Sequence, residues 1–524
     1  MLLFCKIGQS IRYRDMPSVS PPVVLKDHAE EREKKKMGDR PNILWYCSDQ
    51  QRFDTIAALG NEYISTPRLD AFAKEGVAFT HAYCQSPICT PSRASFLSGT
   101  YPSAIGVNGN GNEFFPRGQE DKLLPHRLAR AGYDCGLVGK LHLASAASGV
   151  EHRVDDGYRY FQYSHDHKGP RVYGHDYAEW VQQQGGDADA LMQPYQTTTY
   201  REGARRTTFG GLAEPTELAD NIPPQYHQTR WCSEQSIEFI DDNRRAGQPW
   251  LLSVNPFDPH PPYDAPWEYY RRYDPDQLPG AHFAEGDLEQ QRRIVEAGVD
   301  FQSQPQEPSH WADKKIQASY YAMVEQVDCE FGRILDHLEA TGQRENTIVV
   351  FASDHGEMLG DHGLVLKGCR FYEGLVRVPL IVSWPGRFRQ GVVSDALVEL
   401  MDLAPTLYEV AGEQVPYWVQ GRSLLPLLQG EATEHRDFVR TEFFGAIDFP
   451  DQTHATMYRD RRWKLVSYHG KDLYELYDLE NDPWEHENLA DDPHHQQKKW
   501  ELIGRSFDAT ANAHMPSAPR VMPF

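Results

Sequence analysis

The sequence predicts an α/β protein with a largely parallel sheet that helices flank on both faces. Apolar, strand-like runs alternate with amphipathic helical segments along most of the chain, which is the pattern of βαβ units. Several of these runs end in clusters of charged or polar residues. After about residue 440 the pattern changes to short strands and tight turns. We therefore expect an α/β domain over 41–440 and a smaller C-terminal α+β subdomain, with a small antiparallel sheet, over 441–524.

The first half of the α/β domain opens with the apolar run Asn42–Cys47, which predicts a buried strand. Thr66 before Pro67 is typical of a helix start, because a hydroxyl N-cap and a proline at the first position both suit it. Pro91 predicts a second helix that begins just after it. The elements predicted here are strand 42–47, helix 67–74, helix 92–98 and strand 133–138.

The second half contains the longest predicted helix, whose apolar residues recur every three or four positions from Ile316 to Leu338. Gly342 is placed to end it. The other elements predicted in this half of the domain are helix 233–243 and strands 250–254, 347–351 and 378–383, and the C-terminal subdomain would contain strands 456–458, 464–468 and 473–478.

Two stretches interrupt this alternation, over 150–228 and 263–312, and both are rich in glycine, proline and aromatic residues. We interpret them as insertions at the rim of an active site, where long loops commonly determine specificity. Residues 1–40 are polar and dense in charge, which predicts a disordered lead. Met37 is an alternative start, in which case residues 1–36 would not be translated.

Composition and charge exclude several classes of function. The chain has 524 residues, a net charge of -23 and a pI near 5.4, whereas a general binder of nucleic acid or anionic membranes would be basic. The sequence contains no run of about 18 apolar residues, so we expect no transmembrane helix. The eight cysteines form no tight disulfide framework, and the first residues do not form a signal peptide, so we expect a cytoplasmic protein.

Charged side chains follow the predicted strands at the points where the strands end. Because the carboxyl ends of parallel strands share one edge of a sheet, five of these side chains should converge, namely Asp49, Lys140, His142, His260 and Asp354. Aspartates favour a hard divalent cation, and lysine, arginine and histidine around it favour a tetrahedral oxyanion. The residues alone therefore predict sulfuryl or phosphoryl transfer.

The run Cys89-Thr90-Pro91-Ser92-Arg93, which continues to Gly99, resembles the signature C-x-P-S-R-x-x-x-L-x-G of the type I sulfatases. Further landmarks over roughly 41–490 resemble that family and occur in its order: Asp49, Gly139-Lys140-Leu141-His142, Pro259-His260-Pro261, Ser353-Asp354-His355-Gly356, Lys367 and the tail 475–489. The resemblance implies an alkaline-phosphatase-like fold and a sulfuric ester hydrolase. It also implies that a maturation enzyme oxidises Cys89 to Cα-formylglycine.

The resemblance further implies a role for each matching residue. The hydrated aldehyde at position 89 would attack sulfur, and Arg93 would steady it. Lys140 and Lys367 would hold sulfate oxygens, His260 would protonate the leaving alcohol, and His142 would act as the base. The ligands of one divalent metal, Ca²⁺ by expectation, would be Asp49, Gln50, Cys89, Asp354 and His355.

Two positions depart from the commoner pattern of consecutive aspartates and a late Asp-Asn pair. Gln50 and His355 instead resemble the choline-sulfatase and phosphonate monoester hydrolase branch. Because histidine suits transition metals better than Ca²⁺, Mn²⁺ is an alternative, and a phosphonate monoester or phosphodiester hydrolase is the alternative activity. Lys140 and His142 argue against the phosphonate hydrolase alternative, because both resemble the sulfatases proper.

A third hypothesis is a non-catalytic protein that binds a sulfated ligand and keeps Cys89 as a thiol. For the enzyme, we expect a small-molecule or saccharide sulfate ester as substrate, and no nucleic acid or membrane partner. An oligomer is compatible with the sequence.

Overall fold

The central sheet consists of strands that are mostly buried along their whole length. In this computed structural model we describe residues 40–146, 149–167, 174–193, 211–299, 301–447, 452–514, 516, 518 and 522. The strands are β1 (Asn42–Ser48), β2 (Val77–Tyr83), β3 (Asp134–Gly139), β4 (Tyr160–Tyr163), β5 (Trp250–Asn255), β6 (Thr347–Ser353), β7 (Arg377–Ser383), β8 (Val392–Ser394) and β9 (Val398–Glu399).

The order of these strands across the sheet is β4-β3-β5-β1-β6-β7-β2-β8, with β9 also beside β2. Strand β7 runs antiparallel to its neighbours β6 and β2, and the other pairs are parallel. The mostly parallel α/β sheet predicted from the sequence is therefore confirmed.

Helices cover both faces of this sheet, because side chains alternate along each strand. From β1, Trp45 packs with Phe96 on one face, whereas Tyr46 packs with Phe331 on the other. The helices of the described residues are α1 (Pro67–Glu75), α2 (Cys89–Ser98), α3 (Pro102–Ile105), α4 (Leu124–Arg130), α5 (Asp176–Gln183), α6 (Ala188–Leu191), α7 (Gln228–Ala246), α8 (Trp267–Tyr270), α9 (Asp287–Glu296), α10 (Asp313–Ala340), α11 (Glu373–Val376), α12 (Leu403–Val410), α13 (Leu425–Gln429) and α14 (Gln496–Ala511).

A second sheet lies in the C-terminal part of the chain and is antiparallel throughout. It contains, in chain order, β10 (Val439–Phe444), β11 (His454–Arg459), β12 (Trp463–Tyr468) and β13 (Leu473–Asp478). Leu502 of α14 packs in the same apolar cluster as Leu465 and Leu476 of the sheet. The predicted C-terminal α+β subdomain is confirmed, although the domain border at residue 440 stays a prediction.

One helix begins earlier than the sequence predicted. Helix α2 starts at Cys89 rather than at Ser92, so Pro91 occupies its third position. This is possible because the first-turn N–H groups of a helix have no partner within the helix, and proline has no N–H to leave unpaired. Cys89 is thus the first residue of the helix and does not lie in the loop before it.

Residues 1–39, for which we predicted a disordered lead, lie outside the described residues. Among the residues that are described, no helix combines the length and the apolar character that crossing a bilayer requires.

Candidate active site

The predicted site residues lie at the carboxyl edge of the central sheet. Asp49 directly follows β1, Lys140 follows β3, and Asp354 follows β6, and these strands stand close together in the order β3-β5-β1-β6. Cys89 reaches the same edge from the first turn of α2. The convergence that the sequence predicted from strand ends is what the structure contains.

The Cys89 side chain lies at the centre of a ring of charged groups. Its Sγ is 2.9 Å from Lys367 Nζ, 3.0 Å from His355 Nε2 and 3.8 Å from Lys140 Nζ. Asp49 Oδ1 is 3.7 Å from the same sulfur atom. Cys89 is 1% exposed, so water screens these interactions little.

The two lysines and His355 determine the ionisation of Cys89. Burial and the Asp49 carboxylate raise the pKa of the thiol, but Lys140, Lys367 and His355 outweigh them and bring it down to about 7. By contrast, burial raises the pKa of the Cys47 and Cys84 thiols. The surroundings of position 89 therefore favour negative charge there, as an oxyanion site requires.

Arg93 connects the separate parts of this ring. Its guanidinium donates from Nε to Asp354 Oδ2 at 2.9 Å, from Nη1 to the Lys140 carbonyl at 2.9 Å, and from Nη2 to Asp49 Oδ2 at 3.3 Å. Lys140 Nζ also donates to Asp49 Oδ2, at 2.5 Å. Two carboxylates thus face three formal cations, counting Lys367, and the pocket favours an anion.

Four side chains form a cradle that fits a divalent cation. One ligand atom from each of Asp49, Cys89, Asp354 and His355 lies within 4.8 Å of the others, and all four residues are buried. His355 Nδ1 donates to the Gly356 carbonyl at 2.9 Å, so Nε2 is the nitrogen that faces the cradle and can serve as the ligand atom. Histidine ligands of metals are commonly oriented by such a second hydrogen bond. The donor set is therefore suited to a metal.

Gln50 has a different environment from the four cradle residues. Its backbone has a φ of 68°, and its N–H donates to Asp354 Oδ1 at 3.0 Å. Its side-chain Oε1 accepts from Lys367 Nζ at 2.6 Å, and its Nε2 donates to Glu357. The predicted ligand oxygen is therefore at the site, where it accepts a hydrogen bond from a lysine.

His142 and His260 are the two histidines that the sequence assigned to proton transfer. Burial, then Lys140 and His165, hold the pKa of His142 well below its usual range; burial, then Lys367, does the same for His260. His260 Nδ1 lies 2.7 Å from the Pro261 carbonyl, which can only accept, so this nitrogen carries the proton. His260 Nε2 is consequently unprotonated in the substrate-free protein.

The sequence did not indicate two buried glutamates that support the site. Glu151 accepts from the backbone N–H groups of His142, at 2.7 Å, and Leu143, at 3.1 Å. Glu357 holds Gln50 Nε2 and accepts from the N–H groups of Leu359 and Leu366. Neither glutamate belongs to a motif whose spacing could have marked it, because each one acts on backbone groups of a nearby turn.

Comparison with known families indicates which reaction the site at the carboxyl edge of the sheet catalyses. Residues 41–413 match the family model described as "Sulfatase", and residues 360–509 match the one described as "N-sulphoglucosamine sulphohydrolase, C-terminal". The first match alone spans more than half of the chain. The chain belongs to the sulfatase family.

Individual relatives of this sulfatase include an arylsulfatase of Clostridium perfringens, 30% identical over 88% of this chain and 92% of the relative. A choline-sulfatase of Rhizobium meliloti is also 30% identical, over 87% of this chain and 83% of the relative. Among solved structures, a phosphonate monoester hydrolase of Silicibacter pomeroyi superimposes with a TM-score of 0.73 at 24% identity, covering 91% of this chain and 96% of that one.

These matches establish that the protein is a sulfuric ester hydrolase of the alkaline phosphatase superfamily. The likeness to the phosphonate monoester hydrolase is a likeness of fold, and sulfate ester hydrolysis is the better supported activity.

Proposed function

We propose that this sulfatase cleaves a sulfate monoester into an alcohol and sulfate, with Cys89 converted to Cα-formylglycine as the nucleophile. One observation carries the proposal. Cys89 stands at the start of a helix, with Lys367 Nζ at 2.9 Å and Lys140 Nζ at 3.8 Å from its Sγ. An oxygen atom held at that position would sit between two cations, where an anionic sulfuryl group binds well.

The first half of the reaction moves the sulfuryl group from the substrate to residue 89. One hydroxyl of the hydrated aldehyde, which loses its proton to solvent, attacks sulfur while the bond from sulfur to the leaving oxygen breaks and that oxygen takes a proton from His260. Lys140 and Lys367 hold the non-bridging oxygens and compensate the charge that develops on them. Arg93 keeps residue 89 and both aspartates in position through its three hydrogen-bonded nitrogens.

The second half releases sulfate without a second attack at sulfur. His142, whose depressed pKa keeps it neutral, takes the proton of the remaining hydroxyl. The carbon–oxygen bond to the sulfate then breaks, and the aldehyde is restored and hydrated again by water. A serine in this position would need water to attack sulfur instead, which is the slower route.

His260 is the proposed proton donor to the leaving alcohol. Its Nε2 is unprotonated in the free protein, because burial and Lys367 depress its pKa. The negative charge of a bound sulfate ester opposes Lys367 and raises that pKa, so substrate binding itself would load the donor.

Asp49, Asp354, His355 and residue 89 would hold one divalent metal, with Gln50 as a further oxygen ligand once Lys367 turns to the substrate. The metal would supply positive charge against the sulfate oxygens. Four oxygen donors favour Ca²⁺, whereas His355 favours Mn²⁺, and these are the two proposed metals.

The substrate we propose is a small-molecule or saccharide sulfate ester. One support is the acidity of the chain, because a net charge of -23 opposes the binding of a long polyanion. The other is the presence of a choline-sulfatase among the relatives.

Mass spectrometry of the peptide that contains Cys89 tests the nucleophile, in protein produced together with a maturation enzyme. We expect a mass lowered by the replacement of sulfur and two hydrogens with one oxygen. Activity on an aryl sulfate should follow the modified fraction and vanish in Cys89→Ala. An active protein whose Cys89 is wholly unmodified would contradict the proposal, and rates far higher on an aryl phosphonate than on the sulfate would replace the substrate class.

A further inference from the structure

A second group of metal-ligating side chains lies outside the active site. It consists of Asp287, His362 and His486, which we call the Asp-His-His cluster, and one ligand atom from each lies within 4.8 Å of the others. The three residues come from distant parts of the chain: the start of α9, the loop after β6, and the segment between β13 and α14.

The two imidazoles of the cluster present the same nitrogen to one carboxylate. His486 Nδ1 is 3.0 Å from Asp287 Oδ2 and 3.1 Å from Oδ1, and His362 Nδ1 is 3.3 Å from Oδ1. In a tetrahedral site with bonds of about 2.1 Å, neighbouring ligand atoms lie about 3.4 Å apart. The nitrogen–oxygen separations therefore need to change by only a few tenths of an ångström around a zinc-sized ion, and the two histidine ligand atoms lie within 4.8 Å of each other.

The surroundings of the cluster hold its ligands in place. Asp287 and His362 are buried, at 2% and 3% exposure, and Ala284 N–H donates to Asp287 Oδ2 at 2.8 Å. The His362 ring stacks on Tyr372 with 3.8 Å between ring centroids. His486 is 27% exposed, which leaves a path for an ion to enter from solvent. Such second contacts and an entry path are features of functional metal sites.

We propose that the Asp-His-His cluster binds one Zn²⁺ or a similar transition-metal ion, separate from the metal of the active site. Two imidazole nitrogens and one carboxylate oxygen form a ligand set that such ions prefer over Ca²⁺. The bound ion would join three parts of the chain. They are the predicted insertion over 263–312, the C-terminal subdomain, and the loop after β6, which also carries Lys367. The role of the ion is structural, because it adds metal–ligand bonds between three segments that also meet through side-chain packing and through hydrogen bonds such as that from Lys471 Nζ to the Ala297 carbonyl.

The test compares the zinc content and zinc-dependent stability of the wild type with those of His486→Gln. All proteins are stripped with a chelator, reloaded with Zn²⁺ and freed of excess metal. The wild type should retain about one equivalent of zinc more than the variant. Zinc should also raise the melting temperature of the wild type by more than that of the variant, since a ligand stabilises the state that binds it. Zinc in the active site contributes equally to both proteins.

The matched control is His495→Gln, because His495 forms a comparable contact with Asp492 outside the cluster and should keep the wild-type zinc content. If His486→Gln fails to fold, Asp287→Asn provides the same comparison, because it keeps an acceptor for the Ala284 N–H. Equal zinc content and equal thermal shifts in the wild type and the cluster variants would overturn the proposal. The cluster would then be two imidazoles hydrogen-bonded to one carboxylate.

Discussion

At the scale of single residues, Glu151 shows how a group that never meets the substrate can shape the site. His142 has a left-handed backbone, with a φ of 57°, which few residues without special support adopt. Glu151 provides that support by accepting the N–H groups of His142 and Leu143. Burial raises the pKa of Glu151 to about 7. We infer that Glu151 is a positioning residue for His142, the proposed base.

Replacing Glu151 with glutamine tests this role. The carboxamide keeps one acceptor oxygen and turns its NH₂ toward the other N–H, so one hydrogen bond of the turn is lost. We expect kcat to fall about tenfold, the equivalent of about 1.4 kcal/mol, which is within the range of one hydrogen bond. KM and metal content should not change, because Lys140, Lys367 and the cradle are untouched.

Steady-state kinetics of Glu151→Gln beside Asp155→Asn check this expectation. Asp155 lies in the same segment with a side chain that is 82% exposed, so its variant should behave as the wild type. If Glu151→Gln leaves kcat unchanged, or raises KM alone, then Glu151 does not position His142.

At the scale of elements, the end of β3 illustrates how a strand places the side chain of Lys140, to which we assign a catalytic role. Gly139 closes β3 with a φ of 102°, and a Cβ atom there would overlap the carbonyl oxygen of Asn255 in β5. Lys140 N–H donates to that same carbonyl at 2.9 Å. The close approach of β3 and β5 therefore fixes where Lys140 leaves the sheet.

Gly139→Ala should consequently lower both stability and activity. The left-handed φ costs about 1–3 kcal/mol, and relief of the overlap costs about 1–3 kcal/mol more and displaces Lys140. Gly132→Ala is the matched control, because Gly132 also has a positive φ, of 94°, but open space around its Cβ position. Thermal unfolding and aryl sulfate turnover of both variants measure the difference; equal losses in the two would mean that the β3–β5 contact is not restrictive.

The elements also show what the sequence could and could not predict. The convergence of Asp49, Lys140 and Asp354 was predictable, since each follows an apolar strand and parallel strands end at one edge. Strand β10 was missed because Arg440 and Glu442 make it look polar, whereas both are buried as an ion pair of 2.6 Å. Pattern alone cannot reveal a charge that a partner neutralises.

At the scale of the whole molecule, a buried charge cluster joins the C-terminal sheet to the catalytic core. Lys464 of β12 donates to Glu373 Oε1 at 2.7 Å and lies 2.6 Å from Glu485 Oε1. Its Nζ also donates to the Phe371 carbonyl at 2.9 Å. All three charged side chains are at most 4% exposed, and Lys464 contacts both carboxylates, whereas Arg377 and Arg459 lie beside Glu373.

Lys464→Met should therefore destabilise the protein by about 3–5 kcal/mol, the usual cost of leaving buried charges unpaired. The loss should grow between about pH 6 and pH 8. Burial raises the pKa of Glu485 to about 7 even beside Lys464, and without the lysine this pKa rises further, so the folded variant keeps a proton that the unfolded chain releases. Stability contributed by that proton is present at low pH and lost as the pH rises.

Unfolding of this variant across that pH range, beside Lys471→Met, is the measurement. Lys471 Nζ donates to the carbonyls of Ala297 and Gly298, which do not titrate, so its variant should lose roughly 1–2 kcal/mol with no dependence on pH. A pH-independent loss in Lys464→Met would show that packing, and not charge, joins the two parts.

The burial of Cys89 has a consequence for the order of events in the cell. The proposed maturation enzyme must reach Cys89, Pro91 and Arg93, yet the folded chain buries all three beneath its own lysines and carboxylates. The proposed oxidation would therefore compete with folding during synthesis. A chain that folded before oxidation would keep its thiol, so we expect the modified fraction of a preparation to depend on the relative rates of oxidation and folding.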